Sequence, residues 1–180
     1  MRHMRVFTLI ALALFVLGCT DTNHVAGDAE TFFEQTTIDI VLLEASFRDD
    51  ESFALYDDIE MHRDVDPDVV TSREALRATL ETHEHIATDL SGLDALAPCD
   101  DATCRYVIVP LFSYHIITEY AVWGSYEDGL LAIWLAAQPS NFPATDLRMV
   151  VMRLETAFTI DVIVNPTPYD AFDWRRIDAE

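Results

Sequence analysis

Residues Arg105 to Trp123, RYVIVPLFSYHIITEYAVW, decide the fold class of this chain. β-Branched and aromatic side chains crowd a helix but pack well on a pleated surface, so the stretch predicts a long strand. Glu127-Asp128-Gly129 then reads as a turn, and Leu130 to Ala137 as a second, strongly apolar strand. A further hairpin is expected from Arg148 to Glu155 and Phe158 to Asn165, joined by a tight turn at Glu155-Thr156-Ala157-Phe158 and ended by Pro166 and Pro168.

Upstream of Leu93 the spacing changes. Asp28 is placed to cap a helix from about Ala29 to Phe47, in which Phe32, Phe33, Ile40, Leu43 and Phe47 recur at three-, four- and seven-residue intervals. Asp50 is expected to cap a short turn of helix through Phe53, Leu55 and Tyr56, and Ile59-Glu60-Met61-His62 alternates as a brief strand. After Pro67, Thr71 and Glu74 form a capping-box pattern. They head a helix from about Ser72 to Ala87 that buries Leu76, Leu80 and His83 or Ile86. Helices first and a meander afterwards predict an α+β fold, with N-terminal helices packed on one face of a curved antiparallel sheet.

Three phrases resemble the SnoaL-like branch of the nuclear transport factor 2-like superfamily. Phe53-Ala54-Leu55-Tyr56-Asp57-Asp58-Ile59-Glu60-Met61-His62 looks like that family's passage from short helix to first strand, and Ser72-Arg73-Glu74-Ala75-Leu76 looks like the start of its next helix. Met149 to Leu154 followed by Phe158 to Val164 is similar to its closing strands. The resemblance implies a cone-shaped, cystatin-like α+β barrel over residues 29–170, with 171–180 as a tail. In that family the pocket serves catalysis, ligand binding or dimer formation. Tyr56 and His62 fall where pocket-lining residues occur.

Met1 to Cys19 resembles a bacterial lipoprotein signal. Arg2 and Arg5 form a basic start, Val6 to Leu17 an apolar run, and Val16-Leu17-Gly18-Cys19 is similar to a lipobox. As a helix, twelve residues reach only about 18 Å. That is short of the ~30 Å hydrocarbon core, so a spanning anchor is disfavoured, and an ordinary cleaved secretory signal is the rival reading. The lipoprotein resemblance implies a signal over residues 1–18, an acylated Cys19, a tether over 19–28, and a cell-envelope location. Thr20 after the cysteine points to the outer membrane.

Cysteine usage agrees with export, because setting Cys19 aside leaves Cys99 and Cys104 as an even pair that an oxidising compartment joins. The residues between them, Asp100 to Thr103, are turn-like, so the bond is expected to clamp the mouth of a hairpin. A thiol metal site is the alternative, and it lacks a second cysteine pair.

Composition narrows the partners. All 11 basic residues are arginines against 32 acidic ones, a formal charge of −21, and a signal cleaved before Cys19 removes two of the arginines. That field repels nucleic acid and anionic lipid headgroups, so the expected membrane contact is the lipid anchor and no nucleic-acid partner is expected. With 51% hydrophobic residues the mature chain can bury one core, and no internal repeat or long linker divides it.

Several motifs fail on inspection. His83-Glu84-His85 lacks the second histidine of a zinc-protease helix, and Asp64-Val65-Asp66-Pro67-Asp68 opens like an EF-hand but has Val69 where glycine is needed and Ala75 where the bidentate Glu belongs. The glycines form no dinucleotide or phosphate loop, and there is no nucleophile elbow. No metal or cofactor is expected.

Strand alternation places Ser113, His115, Glu119 and Trp123 on one face, and Tyr106, Ile108, Phe112, Tyr114 and Ile116 on the other. His115 and Glu119 then lie about 13 Å apart, too far for a direct dyad. Two functions stay open. One is a non-enzymatic lipoprotein that binds a small apolar ligand or a protein partner, or forms a homodimer through its sheet, with Tyr56, Tyr114, Glu119, Trp123 and Trp134 as binding residues. The other, implied by the resemblance, is a cofactor-independent cyclase, isomerase or dehydratase with His62, Asp64 or His115 carrying protons. A buried His against a carboxylate would favour the enzyme, and an interior filled by aromatic rings would favour binding.

Overall fold

The computed structural model describes residues 28–57, 67–99 and 102–177. In chain order these form α1 (Ala29–Glu34), β1 (Thr36–Phe47), α2 (Asp50–Asp57), β2 (Asp68–Val70), α3 (Arg73–Thr82), β3 (Ile86–Thr88) and a 3₁₀ turn at Leu90–Ala95. Two very long strands follow, β4 (Cys104–Glu127) and β5 (Leu130–Thr156), then β6 (Asp161–Val164), a 3₁₀ turn at Tyr169–Ala171 and β7 (Arg175–Ile177).

β4 and β5 pair along their length as one antiparallel hairpin, and the rest of the sheet is built on it. At the open end of the hairpin the order is β2-β4-β5-β1-β3. Toward the turn, β6 joins β5 in parallel and β7 joins β4, so each long strand has different outer neighbours along its length. The turn is Asp128-Gly129, both at positive φ, as a two-residue hairpin connection with the strands' right-handed twist requires.

Midway, the ladder shifts register between Ser113 and His115, His115 and Ile117, and Ile117 and Glu119. Bulges bend a strand and break its alternation. The hairpin accordingly doubles over: Val107, Val109 and Leu111 from one side of the bend share a core with Val122, Tyr126, Leu131 and Ile133 from the other. Phe32 of α1 is the plug of this core, stacked on Tyr126 with centroids 4.1 Å apart and flanked by Phe33 and Phe158. The opposite face of the open end carries a second core. There Tyr106, Ile108, Met149 and Val151 meet Leu76 and Leu80 of α3 and Leu93 of the 3₁₀ turn. The sheet does not close into a barrel.

The α+β class therefore stands, while several elements differ from expectation. The helix expected over Ala29 to Phe47 is α1 followed by β1, because Thr36, Thr37, Ile38, Ile40 and Val41 are β-branched and pair with Thr156, Glu155, Leu154, Met152 and Val151 on β5. The helices-first order is thus corrected. Asp28 does cap α1, accepting from the Thr31 N–H at 2.8 Å. α3 is capped by Ser72 rather than Thr71 and stops at Thr82, leaving Ile86 to β3, where it is buried as expected.

The last hairpin is absent. β1 occupies the edge of β5 on which Phe158 to Asn165 would fold back, so β6 runs on to the free edge at Leu130–Ile133 and pairs there in parallel. Asn165, buried and at φ 50, fixes that junction: its N–H donates to the Ile133 carbonyl and its Oδ1 accepts from the Leu135 N–H. The sheet also takes in Arg175–Ile177, past residue 170. Cys99 and Cys104 are disulfide-bonded, closing the loop that enters β4 rather than the mouth of a hairpin. Tyr106 braces that loop, its hydroxyl accepting from the Cys99 N–H and donating to the Ala97 carbonyl.

Candidate functional site

Cys19, His62 and Asp64 lie outside the described residues, as does the strand expected at Ile59–His62; Tyr56 falls in α2, where its side chain is outside them too. The other residues expected at a site fall in two places. Tyr114, His115 and Glu119 lie in the bend of β4, and Trp123 stands opposite Trp134 in the ladder beyond it. Alternation does not carry through the bend, so the face assignment made from spacing fails there: Leu111 and Val122, on opposite faces by spacing, line one core.

His115 is half-buried, and its Nδ1 is buried without a hydrogen-bond partner. The carboxylate of Asp146, opposite Ser113 in the ladder, is engaged at both oxygens, by the Ile117 N–H and by Arg148 Nε, each at 2.9 Å. Asp146 therefore steadies the bulged backbone and Arg148. Trp134 packs edge-on against Tyr169, which stacks on Trp174, so these rings hold the C-terminal segment to the sheet.

Two surface features stand out among the described residues. The bend exposes Tyr114 (43%), Ile116 (42%) and Tyr120 (38%). Away from it, an open groove of about 390 Å³ runs between Thr36–Asp39 of β1 and Arg175–Ile177 of β7, with Phe33 between them. It marks the seam where the doubled sheet fails to close. Arg175 lies over the Phe33 ring at 5.7 Å. Gly124 makes room for this arrangement, since a Cβ there would come within 2.8 Å of Ile177 and 3.1 Å of the Phe33 ring.

The groove's electrostatics run against those of the chain. Its one carboxylate, Asp39, is salt-bridged to Arg153 on β5 at 3.2 Å, and Arg153 also binds Glu155. Asp28 at the mouth of α1 is held below the usual carboxylate range, first by the Thr31 N–H and in smaller part by the charge of Arg175. Sequence reasoning passed over this site. The available signal was Arg175-Arg176, the only consecutive basic pair in the chain.

Among the described residues no helix is long and apolar enough to cross a membrane. No protein-family model matches this chain, and neither a curated protein nor a solved structure matches it.

Proposed function

We propose that this chain is a lipid-anchored envelope protein that works by binding a protein partner, moored through Cys19 and presenting the bent sheet beyond the tether. The observation that carries the binding reading is the filled interior. Where a cup would hold substrate, Phe32, Tyr126 and Phe158 pack against one another, Phe32 with no exposed surface. At the bend Tyr114, Ile116 and Tyr120 face outward, and exposed apolar side chains grouped in one segment are what protein contacts use. From the SnoaL-like resemblance this reading keeps a bent sheet flanked by helices that serves as a contact scaffold. It carries over no catalytic residue, because β1 stands where a long helix was expected.

Anchoring and binding are tested together by native mass spectrometry of the protein extracted from its own envelope. The expected result is an acylated Cys19 and a bound polypeptide that is lost in the Ile116→Glu, Tyr120→Glu variant. Retention of that polypeptide by the variant, or a small apolar molecule in its place, overturns the binding surface. Cys19→Ser is expected to release a folded domain from the membrane, and unchanged membrane association overturns the anchor.

A further inference from the structure

β1 has the sequence of an interior strand and, ahead of its pairing with β3 at Ala45–Phe47, the position of an edge strand. Its inner-face residues Ile38, Ile40 and Leu42 pack on the core around Phe32, while Val41, Ala45 and Phe47 pack on the core under α3. Strands apolar on both faces are normally covered on both sides by neighbours. Yet β3 pairs only with Ala45–Phe47 and the Glu44 carbonyl accepts from the Asp89 N–H, so among the described strands none lies beside the outer edge of Thr36–Leu42. Every residue from Ile38 to Leu42 is left half-exposed. Every second residue there turns its N–H and C=O outward, the template on which an extended chain adds a strand.

We infer that this seam binds an extended acidic segment of another polypeptide, which pairs with the outer edge of β1 and sets its carboxylates against Arg175 and Arg176. The inference rests on reading the domain as a binding module and is independent of the surface at the bend. Charge selects the occupant. Edge strands often carry charged residues simply to deter pairing. Here the arginines line a groove with an aromatic residue in it, beside a carboxylate already neutralised by Arg153. Everywhere else an acidic segment meets a chain of net charge −21.

That opposition makes the test sharp, because the global field favours a cationic peptide and the groove favours an anionic one. The probes are two rhodamine-labelled seven-residue peptides, one alternating valine with aspartate and one alternating valine with lysine, titrated by fluorescence anisotropy into the Cys19→Ser protein. The aspartate peptide is expected to bind about tenfold or more tightly than the lysine peptide. Arg176→Glu is expected to cost about tenfold in that affinity, measured on protein whose circular dichroism shows it folded. Arg175→Gln serves as a second variant should Arg176→Glu unfold the domain. Amide exchange is expected to slow at Thr36–Leu42 when the aspartate peptide is bound.

Equal or stronger binding of the lysine peptide overturns the proposal, as does protection of those amides before any peptide is added, whether from a second copy or from the chain's own residues. Loss of binding in Ile116→Glu, Tyr120→Glu but not in Arg176→Glu would move the site to the bend, overturning the seam while leaving the binding function in place.

Discussion

Phe32 lies between Tyr126, Phe33 and Phe158 and has no exposed surface, so truncating it opens a cavity where the two halves of the hairpin meet. Phe32→Ala is expected to cost about 3–5 kcal/mol in urea unfolding. A cost within the error of a surface substitution would show that the halves do not share that core. His83 gives a pH signature. Burial is the main cause holding its imidazole below the ordinary value, reinforced by His85 and Arg48 and opposed by Asp68 and Glu84. Its Nδ1 also faces the N–H groups of His85 and Ile86 as acceptor, a role open only to the neutral ring. The unfolded chain therefore takes up this proton first. The contribution is complete at high pH and is lost as pH falls below the unfolded value of about 6.5. The melting temperature is expected to drop between pH 7 and pH 5, and His83→Gln to flatten that slope. An unaltered slope would assign the effect to other groups.

At the scale of elements, what could be read from the sequence depended on whether local chemistry and tertiary position agreed. They agree for Asp28 at the head of α1, for Leu76 and Leu80 on α3, and for the Asp128-Gly129 turn. They conflict between Phe32 and Phe47, where Phe32, Ile40, Leu43 and Phe47 happen to fit a helical period while the β-branched residues of β1 fit a strand. Pairing with β5 decides it, with Asp39 opposite Arg153 and Glu44 opposite Arg148 as cross-strand ion pairs. β6 was out of reach for another reason: which edge of β5 is free depends on where β1 sits, some 120 residues earlier in the chain, as the Thr36–Thr156 pairing shows. The site was illegible on the same grounds, since its walls are the two ends of the described chain. Gly129→Ala, at φ +85, is expected to lose about 1 kcal/mol. Reducing Cys99–Cys104 is expected to cost about 2 kcal/mol, the low end for a small ring. Thermal melts of each variant check both values. Gly124→Ala is expected to displace Ile177 and the Phe33 ring and to speed amide exchange in β7, whereas unchanged exchange there would separate Gly124 from the groove.

For the whole molecule, one long hairpin folded on itself explains the filled interior, the exposed bend and the open seam together. Doubling buries the inner faces of both halves around Phe32, which fills the space between them among the described residues, and the ladder shifts that produce the bend leave Tyr114, Ile116 and Tyr120 outside. Because β1 and β7 flank different halves, they meet at the groove without pairing. On the proposed reading, a domain of this form would offer edges and surfaces to partners. The direct test of the doubled hairpin is interstrand NOE spectroscopy on the Cys19→Ser protein. The account predicts backbone contacts of Val162 and Ile163 with Leu131 and Ala132 in parallel register, together with ring contacts between Phe32 and Tyr126. Antiparallel backbone contacts of Phe158–Asn165 with Arg148–Glu155, and no contact between those rings, would contradict it.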